Sequence, residues 1–182
     1  MRTSLLVALT APLLIIQGCP SAAPADTALS RLLDSVEQRL DVSEQVALSK
    51  WDSRQPVQAP ERERQVINQA QSQATRFGID AQRAGLFFSD QIEANKLLQY
   101  HALSRWHAAG SAPQTQRIDL AKQLRPQLDR LQEVLLEELA EFDRHRPEPC
   151  TSALAQAIEK RKKSSERSLA LIRATAHLCP AI

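Results

Sequence analysis

The stretch LSRLLDSVEQRLDVSEQVALSKW, residues 29–51, decides the fold of this 182-residue chain. Its apolar residues recur at intervals of three and four, which places their side chains on one face of an α-helix. The residues of this stripe are Leu29, Leu32, Leu33, Val36, Leu40, Val42, Val46 and Trp51. The spacing predicts one long amphipathic helix from about Thr27 to Ser53.

Two cations stand on the same predicted helix. Arg39 and Lys50 are eleven residues apart, close to three turns of 3.6 residues, so both project from one face about 16 Å apart along the axis. Long side chains that lean toward each other can hold the two ends of one small dianion. The pair therefore predicts a site for a rigid ligand with two carboxylates.

The composition predicts an all-α fold, and the pattern along the chain predicts a single-domain bundle of about five to six helices. After Ala25 the chain has only three glycines, and Val, Ile and Thr are sparse beside Ala, Leu, Gln, Glu and Arg, a balance that favours helices over strands. The length suits one domain with its own core. A net charge of +2 gives no broad basic field for nucleic acid.

Proline and apolar spacing predict the next two helices. Pro60 stands near a first helical position and predicts a second helix that runs to about Thr75. Apolar residues at helical spacing then predict a third helix from about Ala81 to Trp106.

A stretch rich in small residues, 109–118, is interpreted as a linker within one domain, residues 26–182. It separates a front half, residues 26–108, from a back half, residues 119–182. In the back half, Pro126 is predicted to kink or restart a helix. A last helix is predicted from Ser152 to His177, packed through Leu154, Ile158, Leu169 and Ile172.

The first 25 residues predict an export signal rather than a part of the fold. A positive start at Arg2 precedes an apolar run, residues 5–16, that is too short to span a bilayer, and small residues before Asp26 allow cleavage after Ala25. We therefore expect a periplasmic or secreted protein without stable membrane insertion. A lipid anchor at Cys19 is the alternative.

Loss of the signal leaves Cys150 and Cys179 in an oxidising compartment, where such a pair is most simply a disulfide. Closing this loop stabilises the fold by roughly 3 to 4 kcal/mol in the chain-entropy account. Two free or metal-bound thiols are the alternative, although no neighbouring residue has the spacing of a metal ligand.

Several short motifs follow one another in a fixed order. They are Glu37-Gln38-Arg39-Leu40, Lys50-Trp51, Arg54-Gln55-Pro56-Val57, Glu61-Arg62-Glu63-Arg64, and Ser89-Asp90-Gln91-Ile92 with Asn95 and Gln99. In these motifs the chain resembles the all-helical chorismate mutases of type II, and in particular their exported subclass, which has a signal peptide, a longer back half and a C-terminal disulfide. The resemblance covers the front half well, and the back half only by length, helicity and cysteine placement.

The resemblance implies that chorismate is the substrate and that it is rearranged to prephenate inside the helical bundle. It implies no metal, no cofactor and no covalent intermediate, and it implies a homodimer. By the family pattern Arg39 binds one substrate carboxylate, Lys50 reaches a carboxylate and the ether oxygen, and Gln99 donates to the same oxygen.

The same pattern places Arg62 beside the reacting centre, lets Glu63 accept from the ring hydroxyl, and gives Asn95 a contact to the second carboxylate. A further arginine is expected from the back half, and Arg130 is chosen over Arg125. The predicted catalytic residues are Arg39, Lys50, Glu63 and Gln99.

Two positions depart from the family pattern. Ala59 stands where the family often has Asp. Gln99 is the neutral form of the Glu that exported relatives often carry, so activity is expected not to require acid. A shift of register would put Arg64 in place of Arg62, and each cation taken alone would more often be a solvated surface residue.

Two other functions stay open from the sequence. An isochorismate pyruvate-lyase on the same scaffold would need much the same cations, and a non-catalytic helical adaptor of the envelope would need none of them. The four histidines share no zinc-ligand spacing. The basic run at residues 160–163 is most simply a solvated helix face.

Overall fold

The computed structural model describes residues 24–161 and 163–179, so the predicted signal peptide and Cys19 lie almost wholly outside the described part. Every regular element within these ranges is helical, which confirms the all-α prediction. The α-helices are α1 Pro24–Asp41, α2 Ser43–Ser53, α3 Pro60–Ala74, α4 Ala81–Ala109, α5 Arg125–Arg144, α6 Cys150–Glu159 and α7 Ser165–Ala174. None of the helices in this part of the chain is long and apolar enough to cross a bilayer.

The predicted long first helix is interrupted at a single residue, Val42, which separates α1 from α2. The chain re-enters the helix at once, since the Val46 N–H donates to the Val42 carbonyl at 3.0 Å. With α1 and α2 taken together, the described residues form six α-helices, within the predicted five to six.

Helix α4 is the central element of the bundle and contacts α1, α2, α3 and α7, while α5 packs along α1. Asp80 caps its start by accepting from the Arg83 N–H at 3.0 Å. Gly110 ends it at φ 75°, a conformation that glycine adopts without steric cost. On its buried face the rings of Phe87 and Phe88 meet edge to face at 5.5 Å. Helix α4 therefore supplies a central part of the core against which α1, α2, α3 and α7 pack.

The back half begins with a π-helical turn, Leu120–Leu124, which leads directly into α5. Pro126 lies in the first turn of α5, where its missing N–H costs no hydrogen bond. The prediction that Pro126 restarts a helix is confirmed.

The prediction of one last helix from Ser152 to His177 is wrong, because α6 ends at Glu159 and α7 begins at Ser165. The predicted disulfide, which is confirmed, gives the physical reason. Cys150 and Cys179 have their Cα atoms 5.8 Å apart, whereas one continuous helix would hold them about 44 Å apart at 1.5 Å per residue.

The break also resets the helical phase of the last segment. Leu169 and Ile172, predicted to pack in the core, are 58% and 53% exposed. Ala170, Leu171 and Ala174 are buried instead, and α7 packs on α4. Continuing the apolar pattern of α6 across the break therefore predicted the wrong face of α7 to be buried.

Replacing both cysteines, as Cys150→Ala with Cys179→Ala, should lower the free energy of unfolding by about 2–4 kcal/mol. The physical reason is that the closed loop no longer restricts the unfolded chain. Denaturant unfolding of the oxidised protein and of the double variant measures this difference. Reduced wild-type protein is the control and should match the variant; equal stability of oxidised protein and variant would contradict the prediction.

Candidate active site

Helices α1 to α5 surround one cavity of about 150 Å³. Six of the seven predicted substrate-binding residues line it, namely Arg39, Lys50, Arg62, Glu63, Asn95 and Gln99. Polar residues outside that predicted set also line it, namely Lys96, Arg125, Asp129 and Gln132. Apolar side chains such as Val66, Ile92 and Leu128 complete the wall.

Arg39 lies in the last turn of α1 and is only 6% exposed. Its guanidinium carbon stands 6.0 Å from the ring centroid of Phe88, and its Nε has no hydrogen-bond partner among the described residues. Burial and the charge of Arg62 lower the pKa of Arg39 to about 10, although Asp129 opposes them. The group is therefore a buried cation at neutral pH that faces the cavity without its own carboxylate.

Lys50 is held over the cavity by the packing of its neighbour Trp51, whose ring meets Trp106 of α4 edge to face at 6.0 Å. The Lys50 ammonium donates to the carbonyl of Val57 and forms no ion pair within the described residues. Burial lowers the pKa of Lys50; Glu63 raises it, and the nearby cations lower it further. A partner anion in the cavity would relieve this repulsion.

The first turn of α3 supplies Arg62 and Glu63. The Arg62 guanidinium reaches across to α5 and pairs with Asp129 at 2.9 Å. One Glu63 oxygen, Oε1, accepts from the Ala59 N–H at 2.9 Å, which satisfies a backbone donor that the helix start leaves without an intrahelical partner. Both side chains are therefore fixed by the protein before any ligand binds.

Helix α4 supplies the two amides. Asn95 Oδ1 accepts from the Ser43 hydroxyl at 2.6 Å, and its Nδ2 donates to the Gln91 carbonyl at 2.8 Å. These contacts orient the amide and leave one N–H. Gln99 is 5% exposed, and its Oε1 has no hydrogen-bond partner among the described residues.

Of the two arginines weighed for the back half, Arg125 lines the cavity and Arg130, the one predicted, does not. Five residues of α-helix rotate a side chain by about 140°, so the two arginines face different sides of α5. The Arg125 side chain forms no hydrogen bond or ion pair within the described residues, although its backbone N–H donates to the Leu120 carbonyl. The alternative register for α3 is not adopted, because Arg64 is an exposed residue paired with Glu61.

Sequence reasoning missed Lys96, Asp129 and Gln132. Lys96 is one residue from Asn95, and its i,i+3 pairing with Glu93 is the pattern of an ordinary surface ion pair. Asp129 stands four residues after Arg125, and that spacing is the signal that places both on one face of α5.

The cavity wall carries three more positive than negative charges. Five cations line it, namely Arg39, Lys50, Arg62, Lys96 and Arg125, together with the carboxylates of Glu63 and Asp129. Asp129 pairs with Arg62 and Glu63 pairs with Lys96. Arg39, Lys50 and Arg125 are left without a carboxylate, so the cavity is suited to a compact dianion.

Fold and cavity thus define an all-helical protein with a positively charged cavity suited to a small dianion. The chain matches the family Chorismate mutase type II over residues 26–100. It is 32% identical over 124 residues, 68% of each chain, to the secreted chorismate mutase of Mycolicibacterium smegmatis. It is 27% identical to the secreted chorismate mutase of Mycobacterium tuberculosis over 184 aligned positions, 98% of this chain and 90% of that one.

Solved structures agree with these matches. The chorismate mutase of Burkholderia phymatum superposes with a TM-score of 0.82 at 38% identity, covering 87% of this chain and 100% of that one. That of Burkholderia thailandensis gives 0.79 at 39% identity, covering 84% and 99%. The secreted chorismate mutase of Yersinia pestis, at 22% identity and a TM-score of 0.68 over 81% and 94%, shares the fold. This chain belongs to the type II chorismate mutase family.

Proposed function

We propose that the cavity binds chorismate and rearranges it to prephenate. The observation that carries this proposal is that three cations without carboxylate partners line one cavity together with Gln99. They are Arg39, Lys50 and Arg125. Chorismate carries two carboxylates, an ether oxygen and a ring hydroxyl, so its charges and polar atoms are matched by this set.

The reaction is a Claisen rearrangement, in which the ether C–O bond breaks as a C–C bond forms. An enzyme accelerates such a step by holding the compact conformer and by stabilising negative charge that grows on the ether oxygen. Even a million-fold acceleration asks for roughly 8 kcal/mol. Fixed cations at the site can supply part of this, and the field of the buried Arg39 is screened less than that of an exposed charge.

The roles follow from position. Arg39 holds one carboxylate through two parallel hydrogen bonds, which a planar guanidinium can make and an ammonium cannot. Lys50 binds a carboxylate and the ether oxygen, and Gln99 donates to that oxygen from α4. Arg125 takes the place proposed from sequence for Arg130.

The remaining polar groups position the ring. Glu63 accepts from the ring hydroxyl, and the free N–H of Asn95 reaches the second carboxylate. Arg62, held by Asp129, flanks the reacting centre. Ala59 has no polar side-chain group to contribute, but its backbone N–H donates to Glu63.

The test is to follow chorismate and isochorismate separately by ultraviolet absorbance with the purified protein, and to identify the products. We expect prephenate from chorismate and at most a trace of pyruvate from isochorismate. Arg39→Ala and Lys50→Met should lower kcat/KM at least a hundredfold with nearly unchanged thermal unfolding, because each removes a charged hydrogen bond to the substrate. Full mutase activity of both variants would contradict the roles given to Arg39 and Lys50, whereas a wild-type protein that converts neither substrate would point to the non-catalytic adaptor.

A matched pair of variants tests which arginine of α5 completes the site. Arg125→Ala should raise KM for chorismate roughly tenfold or more, because a charged hydrogen bond contributes about 1.5–3 kcal/mol. Arg130→Ala on the same helix should change KM less than twofold. Steady-state kinetics of both variants measure this, and the reverse order of effects would restore Arg130 to the site.

The pH dependence of the proposed reaction follows from two groups. The Gln99 amide does not titrate in this range, so kcat/KM should stay level within about threefold from about pH 5 to pH 7.5. Lys50 acts as a cation with a lowered pKa, so its charge is present below that pKa and is lost as the pH rises through it. Activity should therefore decline in alkali below the pKa of a free lysine, about 10.4.

The variant Gln99→Glu tests the role of residue 99 independently of the titration of Lys50. A carboxyl at this position must be protonated to donate to the ether oxygen, so kcat/KM should then fall roughly tenfold per pH unit above its pKa. Rate profiles of both proteins across this range measure the effect. If the wild-type rate itself drops steeply between about pH 5 and 7.5 while circular dichroism shows an intact fold, Gln99 has been misassigned.

We further propose that the protein is periplasmic or secreted after cleavage behind Ala25, with a lipid anchor at Cys19 as the rival, and that it forms a homodimer. The relatives named as secreted support export, and the family resemblance supports the dimer. N-terminal sequencing of the exported chain and sedimentation of the purified protein test these proposals. An acylated Cys19 or a stable monomer would contradict them.

A further inference from the structure

Lys96 lies at the cavity wall between two carboxylates. Its ammonium is 2.6 Å from Glu93 Oε1 and 3.3 Å from Glu63 Oε2, and its side chain is 14% exposed. It has no role in the proposed reaction so far, although a lysine at this depth is uncommon unless it is paired.

The position of Lys96 on α4 explains which carboxylate it meets. Asn95 is directed toward the cavity, and the next residue along a helix is rotated by about 100°, which turns Lys96 toward α3. Because α3 packs along α4, the ammonium reaches the first turn of α3, where Glu63 lies.

Glu63 is consequently held at both oxygens. The Ala59 N–H binds Oε1 at 2.9 Å and Lys96 binds Oε2, so the plane of the carboxylate is fixed. Each carboxylate oxygen has two acceptor sites, so a fixed Glu63 can still accept from a ligand hydroxyl.

We propose that Lys96 is a positioning residue that holds the Glu63 carboxylate in the orientation in which it accepts from the substrate's ring hydroxyl. This inference rests on the proposed function. Burial by itself lowers the pKa of Lys96, but hydrogen bonds to Glu93 and Glu63 raise it overall, so the ammonium keeps its charge in the working range.

Charge balance argues that Lys96 acts through Glu63 rather than on the substrate. One ammonium between two carboxylates leaves a local net negative charge, which repels a substrate carboxylate. Arg39, Lys50 and Arg125 have no carboxylate partner and attract the substrate instead. The ring hydroxyl is neutral and keeps its contact with Glu63 throughout the reaction, so this contact stabilises substrate and transition state alike.

A double-mutant cycle tests the inference with chorismate as the probe. Lys96→Met should raise KM roughly tenfold while kcat changes less than threefold, because uniform binding is lost. Lys96→Arg should keep kcat/KM within about threefold. In a Glu63→Gln background, Lys96→Met should lower kcat/KM by less than a further twofold, because the group through which it acts is already altered.

Lys160→Met is the control for loss of a lysine charge, since Lys160 is exposed at the end of α6, and it should leave kcat and KM unchanged.

Effects that multiply in the cycle would show that Lys96 acts on the substrate directly and would overturn the inference, as would a Lys96→Met protein with wild-type kinetics. Thermal unfolding checks the fold, and Lys96→Gln replaces Lys96→Met in the cycle if that variant unfolds. A wild-type protein that leaves chorismate unchanged would refute the proposed function itself, whereas an active wild type with an unaffected Lys96→Met refutes the positioning role alone.

Discussion

Arg39 is a charged side chain that is only 6% exposed and has no carboxylate partner of its own. The packing of the surrounding helices must compensate for the cost of burying this charge. Removing such a charge from water costs several kcal/mol, which the apolar contacts of α1 with α4 and α5 must offset. The aromatic face of Phe88 and the field of Asp129 reduce the cost. Asp129 also binds Arg62. One carboxylate of the back half therefore partly compensates the positive charges of two arginines of the front half.

Much of the front-half site could be predicted from sequence because its helices have readable limits. Pro60 and Asp80 mark helix starts, and between such marks a period of 3.6 residues fixes which side chains share a face. Six residues predicted on this basis and on the family motifs line the cavity. Lys96 could not be found in this way, because its pairing with Glu63 depends on how α3 packs against α4.

The back half was less predictable because its helical phase is interrupted twice. The π-helical turn Leu120–Leu124 alters the number of residues per turn before α5, so the sequence does not reveal whether Arg125 or Arg130 faces inward. The break after Glu159 likewise hides from the sequence which face of α7 is buried. That second break was implied by the disulfide prediction, since one rigid helix cannot bring Cys150 next to Cys179.

The surplus of positive charge at Arg39, Lys50 and Arg125 also bears on turnover. An isomerisation changes neither the number of carboxylates nor their charge, so the product is attracted by the same field that captured the starting compound. Electrostatics therefore provide no driving force for product release. Release must come from the poorer fit of the altered ring geometry or from competition by other anions. Salt that screens this field weakens capture and retention together.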